Sequence, residues 1–317
     1  MSAILKMEHL SVRYRENEKE ILKEVSLSVE QGKIIGLVGE SGCGKTTLLK
    51  TVIGQKMHGL QVTGGSVLYQ GKELLELNKR EYRRVLGNEI GFIVQDSISS
   101  LNPIKRVEKQ IQELLWEKRK IDKEQAYRMG QELLLRLHCA EDTMGKYPFQ
   151  LSGGQRQRVI IAMAFLLSPK ILLADEPTTA LDVTVQAQIL EEMQELKRMY
   201  NTGILLISHN LGVVSQAADE IGVMYRGRIV EYGAAKEILE FPRHPYTQAL
   251  LRCIPDLQHP KGKRLYHIPE KCTSDKEKGC AFSERCEYCQ SVCRKEIPPV
   301  IREKGRWTAC HLLYLGM

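Results

Sequence analysis

Gly39-Glu-Ser-Gly-Cys-Gly-Lys-Thr-Thr47 decides how this chain folds. The apolar run Ile34-Ile-Gly-Leu-Val38 precedes it and Leu48-Leu-Lys-Thr-Val-Ile53 follows. That order reads as a buried strand, a glycine-rich turn and a helix. The turn fits G-x-x-x-x-G-K-[ST], with Gly39, Gly44, Lys45 and Thr46 in the fixed positions and Glu40, Ser41, Gly42 and Cys43 between them. Glycines let the backbone curl until successive N–H groups point inward at an anion. The helix N-terminus adds unpaired N–H groups and partial positive charge. Lys45 can reach terminal phosphates, and the Thr46 hydroxyl can ligate Mg²⁺. The spacing therefore implies a nucleoside triphosphate site.

The rest of the composition allows such a site and excludes other classes. A chain of 317 residues with 43% apolar content can hold one large domain and a smaller one. The net charge of +7 is spread among 27% charged residues, with no basic block interleaved with aromatics, so no nucleic acid is expected as a partner. The opening residues Met1 to His9 are too short and too polar for a secretory signal. The longest wholly apolar run, Val159 to Leu167, falls far short of the ~18 residues of a membrane span. Cys43, Cys139 and Cys253 are scattered, whereas six further cysteines fall between Cys272 and Cys310. In a cytosolic nucleotide-binding protein that cluster reads as a metal site before it reads as disulfides.

Working outward, Leu5 to Tyr14 and Glu20 to Val29 alternate as strands, and Gly64-Gly65 opens a short strand over Ser66 to Tyr69. These form an antiparallel segment beside the nucleotide core. Ile90 to Val94 is a strand ending at Gln95. Val107 to Lys120 and Lys123 to Leu137 repeat apolar residues at i, i+3, i+4 and read as helices. A helix from about Arg156 to Leu167 follows Leu151-Ser-Gly-Gly-Gln155. Ile171 to Ala174 is a buried strand, Val183 to Tyr200 a long helix, and Ile204 to Ile207 a strand running into Ser208-His209. Strands alternating with helices imply a parallel, helix-covered sheet, interrupted by a helical insertion over roughly 101–151. Two short strands over Ile221 to Tyr232 turn at Arg226-Gly227. Near Pro242 the composition shifts towards proline, cysteine, lysine and arginine, which places a domain boundary there.

Asp175, after four apolar residues at the end of a buried strand, is placed to hold the Mg²⁺ shell. Glu176 can polarise a water for in-line attack on a γ-phosphate. Leu151 to Gln155 is a second glycine-rich loop opening a helix, with Ser152 as its N-cap and amides facing an anion. Two phosphate-binding loops in one chain make sense if each closes on the nucleotide held by another subunit.

The ordered set Gly39–Thr47, Gln95, Leu151–Gln155, Ile171–Glu176, Ala180-Leu-Asp182 and His209 resembles the nucleotide-binding subunit of an ATP-binding-cassette (ABC) transporter, over roughly residues 4 to 240. The resemblance implies an α/β fold, an ABC-type P-loop ATPase with a mixed β core, an antiparallel β subdomain and a helical subdomain, plus a small Cys-rich C-terminal extension. The domains would be 1–241, with the helical subdomain at about 101–151, and 242–317. The resemblance makes Tyr14 the aromatic that stacks on adenine. Gln95 would sense Mg²⁺ and water. Ser152, Gly153, Gly154 and Gln155 would contact the γ-phosphate in trans, and Asp182 would couple the two sites. His209 would contact the γ-phosphate and orient water. Gly39 through Thr47 would bind ATP, with Lys45 also catalytic beside Glu176, Gln95 and His209, and Mg²⁺ would sit on Thr46, Gln95 and Asp175.

Gln95-Asp-Ser-Ile-Ser-Ser-Leu-Asn-Pro103, His244-Pro-Tyr-Thr247 and Gly279-Cys280-x5-Cys286-x6-Cys293 with Cys310-His311 resemble the ATPases of oligopeptide, dipeptide and nickel importers. The resemblance implies ATP-driven peptide import. It also implies a peripheral position on the cytoplasmic face of the membrane, a second ABC ATPase as heterodimer partner, two permeases and an extracytoplasmic substrate-binding protein. A nickel or other ABC importer is the alternative, and a soluble non-transport ABC ATPase a more distant one. In this family the cysteine set is associated with a [4Fe–4S] cluster, which gives Cys280, Cys286, Cys293 and Cys310 as ligands. From the residues alone, four thiolates also suit zinc or stay free, and Cys286-Glu-Tyr-Cys289 is a zinc-like pair. Cys272 and Cys289 depart from the family pattern.

Overall fold

The computed structural model describes residues 3–16, 18–54, 59–95, 100–179, 181–254, 266–269 and 278–314. The N-terminal part runs β1 (Ala3–Tyr14), β2 (Glu20–Glu30), β3 (Ile34–Val38), α1 (Lys45–Val52), β4 (Leu60–Tyr69), β5 (Lys72–Glu73), α2 (Lys79–Val85) and β6 (Ile90–Ile93). The helical insertion follows as α3 (Val107–Arg119), α4 (Lys123–Arg136) and the start of α5 (Gly153–Phe165). Then come β7 (Ile171–Asp175), α6 (Val183–Tyr200), β8 (Gly203–Ser208), α7 (Leu211–Ala217), β9 (Glu220–Tyr225) and β10 (Arg228–Ala234). The chain ends with α8 (Ala235–Glu240), α9 (Pro245–Arg252), β11 (Val300–Glu303), β12 (Arg306–Ala309) and α10 (His311–Tyr314).

Two sheets result. One is antiparallel, in the order β2-β1-β4-β5. The other runs β11-β12-β10-β9-β3-β8-β7-β6, parallel from β9 to β6 and antiparallel from β9 outward to β11. β3, β7 and β8 are buried at every position, as the apolar runs require of strands covered on both faces. Alternate residues of β3 serve two cores: Ile34 and Val38 face the helices and the insertion, while Ile35 and Leu37 face α1 and the antiparallel sheet. Full burial of each such side chain contributes about 1.5–3 kcal/mol. α1 is thus held between two sheets, with Leu48 and Leu49 fully buried.

Three boundaries differ from the expectations, each for a local reason. β4 starts at Leu60 and passes through Gly64-Gly65, where Gly65 takes φ +82° at a register shift. A Cβ there would sit 2.4 Å from the carbonyl oxygens of Glu8 and His9, so the glycine permits the bulge and does not open the strand. α5 begins at Gly153, three residues early, because Ser152 and Gln155 form a reciprocal capping box. Beyond Pro242, Val300 to Ala309 form a hairpin whose two-residue turn, Lys304-Gly305, has both φ values positive. β12 pairs with β10, so the main sheet is completed by residues close to the C-terminus.

The hairpin is pinned by a buried ion pair. Arg306 lies 2.7 Å from Glu231, and the two side chains are 5% and 0% exposed. Glu231 also accepts the backbone N–H groups of Arg243 (2.8 Å) and His244 (3.0 Å). The Arg306 guanidinium donates in addition to the Phe241 carbonyl, and its stem lies across Gly233. No helix among the described residues is long and apolar enough to cross a membrane.

Candidate functional site

The parallel register brings the chemistry to one edge of the sheet. Val38 of β3 pairs with Ser208 of β8, Ile207 of β8 with Asp175 of β7, and Ala174 of β7 with Ile93 of β6. The phosphate loop, His209, Glu176 and Gln95 therefore leave the C-terminal ends of four adjacent strands, the usual ligand crevice of such sheets.

Within the loop, Gly44 takes φ +112° and precedes α1 with no side-chain cap and no acid in the first turn. The free N–H groups of α1 face out of the loop for an anion to accept. At Gly39 a Cβ would meet the Met224 carbonyl oxygen at 2.1 Å, so only glycine lets the loop leave β3 here. Lys45 is buried, with Nζ donating to the carbonyls of Gly39 (2.7 Å) and Glu40 (3.0 Å). Its ammonium is thereby parked where phosphate oxygens can replace carbonyls.

Thr46 Oγ1 donates to Asp175 Oδ1 at 3.2 Å, which sets two oxygen donors side by side next to the loop. Burial pushes the Asp175 carboxyl above the usual range, partly opposed by the Thr46 bond. A buried carboxylate with no ion-pair partner in contact among the described residues suits a hard cation with oxygen ligands. Next to it, Glu176 sits at φ +47°, with its N–H bonded to the Ile207 carbonyl. One oxygen, Oε2, is the focus of three side chains. Gln95 Nε2 donates at 3.3 Å, Thr179 Oγ1 donates at 2.9 Å, and His209 Nδ1 lies 3.0 Å away, where a protonated Nδ1 donates to it. The second carboxylate oxygen is left for a water. The geometry can hold a general base in one orientation beside a phosphate site.

Other expected residues stand apart from this cluster. Tyr14 ends β1 and is 39% exposed. Ser152 Oγ accepts the Gln155 N–H and Gln155 Oε1 accepts the Ser152 N–H, so the bonds of this loop stay local. Asp182 caps α6 by accepting the Val185 N–H. The loop Ser152–Gln155 is bonded neither to Lys45 nor to Glu176 among the described residues. Behind it, Arg158 Nε donates to both carboxylate oxygens of Glu192 at 2.9 and 3.0 Å, and Nη2 lies 2.8 Å from Oε1, tying α5 to α6. Asp96 to Ser99 and Ala180, part of the expected motifs, lie outside the described residues, as does Cys272.

The four expected ligand cysteines come together. Cys280, Cys286, Cys293 and Cys310 line one small pocket with His244, Phe282, Tyr288 and His311. All four are free thiols. Burial pushes Cys280 up to about 12 and Cys286 up to about 11, and raises Cys310 as well. No three His, Cys, Asp or Glu side chains among the described residues converge so as to hold a metal ion. A zinc cage is therefore not formed: four sulfurs at about 2.3 Å from one ion would lie within about 4 Å of each other. The expectation of a bound cluster or zinc gains a shared pocket and no ligand cage.

Sequence reasoning missed three residues. Thr179 reaches Glu176 from one turn along the same loop. Tyr246, fully buried in α9, accepts the Glu40 N–H on its hydroxyl at 3.0 Å. Arg285 forks onto the Glu40 carboxylate at 2.8 and 2.8 Å. Both partners of Glu40 are more than 200 residues away in the chain, and nothing in the local pattern announces them.

The comparisons agree with this geometry. A family model described as "ABC transporter" matches residues 22–179, and one described as "Oligopeptide/dipeptide transporter, C-terminal region" matches residues 230–293. The chain is 40% identical over 309 residues to the oligopeptide transport ATP-binding protein OppD of Bacillus subtilis, covering 95% of this chain and 86% of that one. It is 39% identical over 316 residues to the dipeptide transport ATP-binding protein DppD of Escherichia coli, covering 98% and 96%. Among solved structures, a dimer of MJ0796, described as a bacterial ABC transporter cassette, superimposes with a TM-score of 0.65 at 26% identity, over 73% of this chain and 98% of that one.

Proposed function

The chain belongs to the ABC transporter family, in its oligopeptide/dipeptide branch, and on that footing we propose that it is the ATP-hydrolysing subunit that drives peptide import through membrane permeases. Its relatives are named for oligopeptide and dipeptide transport. The match over residues 230–293 ties the chain to that branch and not to a soluble ATPase. The observation that carries the catalytic reading is the convergence of Gln95, Thr179 and His209 on one oxygen of Glu176, beside the Thr46–Asp175 pair.

In this mechanism ATP lies on Gly39–Thr47, with its adenine against Tyr14. Lys45 exchanges its two carbonyl contacts for phosphate oxygens. Thr46, Asp175 and Gln95 would hold Mg²⁺, which supplies charge neutralisation on the phosphates. Glu176, held through Oε2, takes the proton of the attacking water on Oε1. His209 orients that water and contacts the γ-phosphate. Ser152, Gly153, Gly154 and Gln155 complete the site on the partner ATPase, and Asp182 couples the two sites. The γ-phosphate contacts exist only before hydrolysis, so their loss reopens the dimer and resets the permeases.

The partner is a second, different ATPase, the pair sits peripherally on the cytoplasmic face of the membrane, and an extracytoplasmic binding protein delivers the peptide. Cys280, Cys286, Cys293 and Cys310 would hold a [4Fe–4S] cluster. Their shared pocket is what supports this reading. No step of hydrolysis runs through it. Anaerobic purification with iron and sulfide analysis tests this part; a colourless, iron-free protein rejects it.

Replacing Glu176 with Gln tests the whole reading. Loss of a general base lowers the hydrolysis rate by about 100-fold or more. ATP binding persists, and with the partner ATPase present an ATP-bound heterodimer accumulates on a sizing column. Turnover at the native rate would refute the assignment.

A further inference from the structure

Glu40 is an acid inside a loop built to hold a polyanion, and the structure does not leave its charge bare. Both carboxylate oxygens are engaged by Arg285, Nη1 to Oε2 and Nη2 to Oε1, each at 2.8 Å. The Arg285 side chain is 12% exposed and that of Glu40 37%. Nη1 also donates to the Tyr225 hydroxyl at 3.3 Å, and Nε donates to the Pro269 carbonyl at 2.9 Å, so the fork has one direction in which to point. The Glu40 main chain is caught as well, since its N–H donates to the Tyr246 hydroxyl. Tyr246, Tyr225 and Phe282 form one aromatic cluster with centroids 4.6 to 5.3 Å apart. Phe282 and Cys286, on either side of Arg285, line the four-cysteine pocket.

We propose that Arg285 is a positioning residue for nucleotide binding, which neutralises Glu40 and draws its carboxylate out of the phosphate site, so that the C-terminal segment is a working part of the phosphate loop. The proposal rests on the nucleotide reading given above. Two effects act together. A bidentate guanidinium fixes the carboxylate in plane, which a point charge does not do. The cation also cancels the repulsion between Glu40 and the triphosphate, which a partly buried setting leaves only partly screened. The Tyr246 hydroxyl fixes the peptide whose carbonyl Lys45 holds, so side chain and main chain of Glu40 are set by the same cluster.

The test is a double-mutant cycle on the full chain, with binding of the non-hydrolysable analogue adenylyl imidodiphosphate, in the presence of Mg²⁺, measured calorimetrically. R285A weakens binding by about tenfold. In the E40Q background the same substitution weakens it by less than about twofold, because no charge remains to neutralise. A merely structural role for Arg285 gives the same loss in both backgrounds and overturns the proposal. R285K keeps the cation and loses the fork. It weakens binding about threefold and serves if R285A does not fold; native affinity in R285K overturns the proposal too. A native chain with no saturable binding overturns this inference and the nucleotide reading together. A native chain that binds while R285A matches it overturns this inference alone.

Discussion

Substituting Met for Arg306 should be the most damaging single change in the C-terminal segment. The guanidinium meets a carboxylate that is completely buried, and it is the one side-chain cation the structure pairs with Glu231 among the described residues. R306M leaves Glu231 with two backbone N–H donors and no countercharge. Breaking a buried pair from one side costs about 3–5 kcal/mol. The methionine still covers Gly233, so little of that cost comes from lost packing. At the roughly 2 °C per kcal/mol of a large domain, the melting temperature should fall by about 6–10 °C. Adding E231Q removes the orphaned charge and should recover most of the loss, giving a coupling of at least about 2 kcal/mol. The assay is thermal unfolding followed by circular dichroism for native, both single mutants and the double. A fall under about 2 °C for R306M, or strictly additive effects, would show that the pair is solvated in solution and that the argument from burial is wrong.

Three further outcomes can be checked. T179A removes one of three donors to Glu176 Oε2; ATP hydrolysis should drop by about tenfold with little change in KM, and a serine should restore it. G36A places a Cβ 2.0 Å from Val214 Cγ1 and should destabilise by about 1–3 kcal/mol in a denaturant melt, while G36A with V214A should recover much of the loss. Cys139, buried and pushed up to about 11, carries about one thiolate per thousand at pH 8 against roughly one in four for a free thiol. Iodoacetamide should label it at least about 100-fold slower than an unperturbed cysteine, read by peptide mass spectrometry.

The parts of the fold that sequence reading reached are those coded by short-range pattern. The runs Ile34–Val38, Ile171–Ala174 and Gly203–Ile207 are buried on both faces, the first leading into the glycine-rich loop and the other two into Asp175 and Ser208, and the register then assembles these ends. Thr46 and Asp175, 129 positions apart, are legible as neighbours because each motif carries its own strand and turn. The hairpin over Val300 to Ala309 is faint in the sequence although Lys304-Gly305 is a turn signal, since its strands are only four residues long and follow Pro298-Pro299. The Glu40–Arg285 contact had no signal at all. It depends on β12 returning the tail to the sheet, and a single arginine near a cysteine states nothing about where it will point.

The pairing of β12 with β10 also sets an order of events during synthesis. β10 ends at Ala234, whereas β12 ends at Ala309, about 75 residues later. At ~5–20 residues per second, a ribosome needs about 4–15 s to make that stretch. During that interval the newly made β10 is an open sheet edge carrying Val230 and Tyr232, a template for pairing with any neighbouring strand. A nascent chain of this protein thus spends seconds as an aggregation hazard, and its need for chaperones should be set by the codons between 235 and 309.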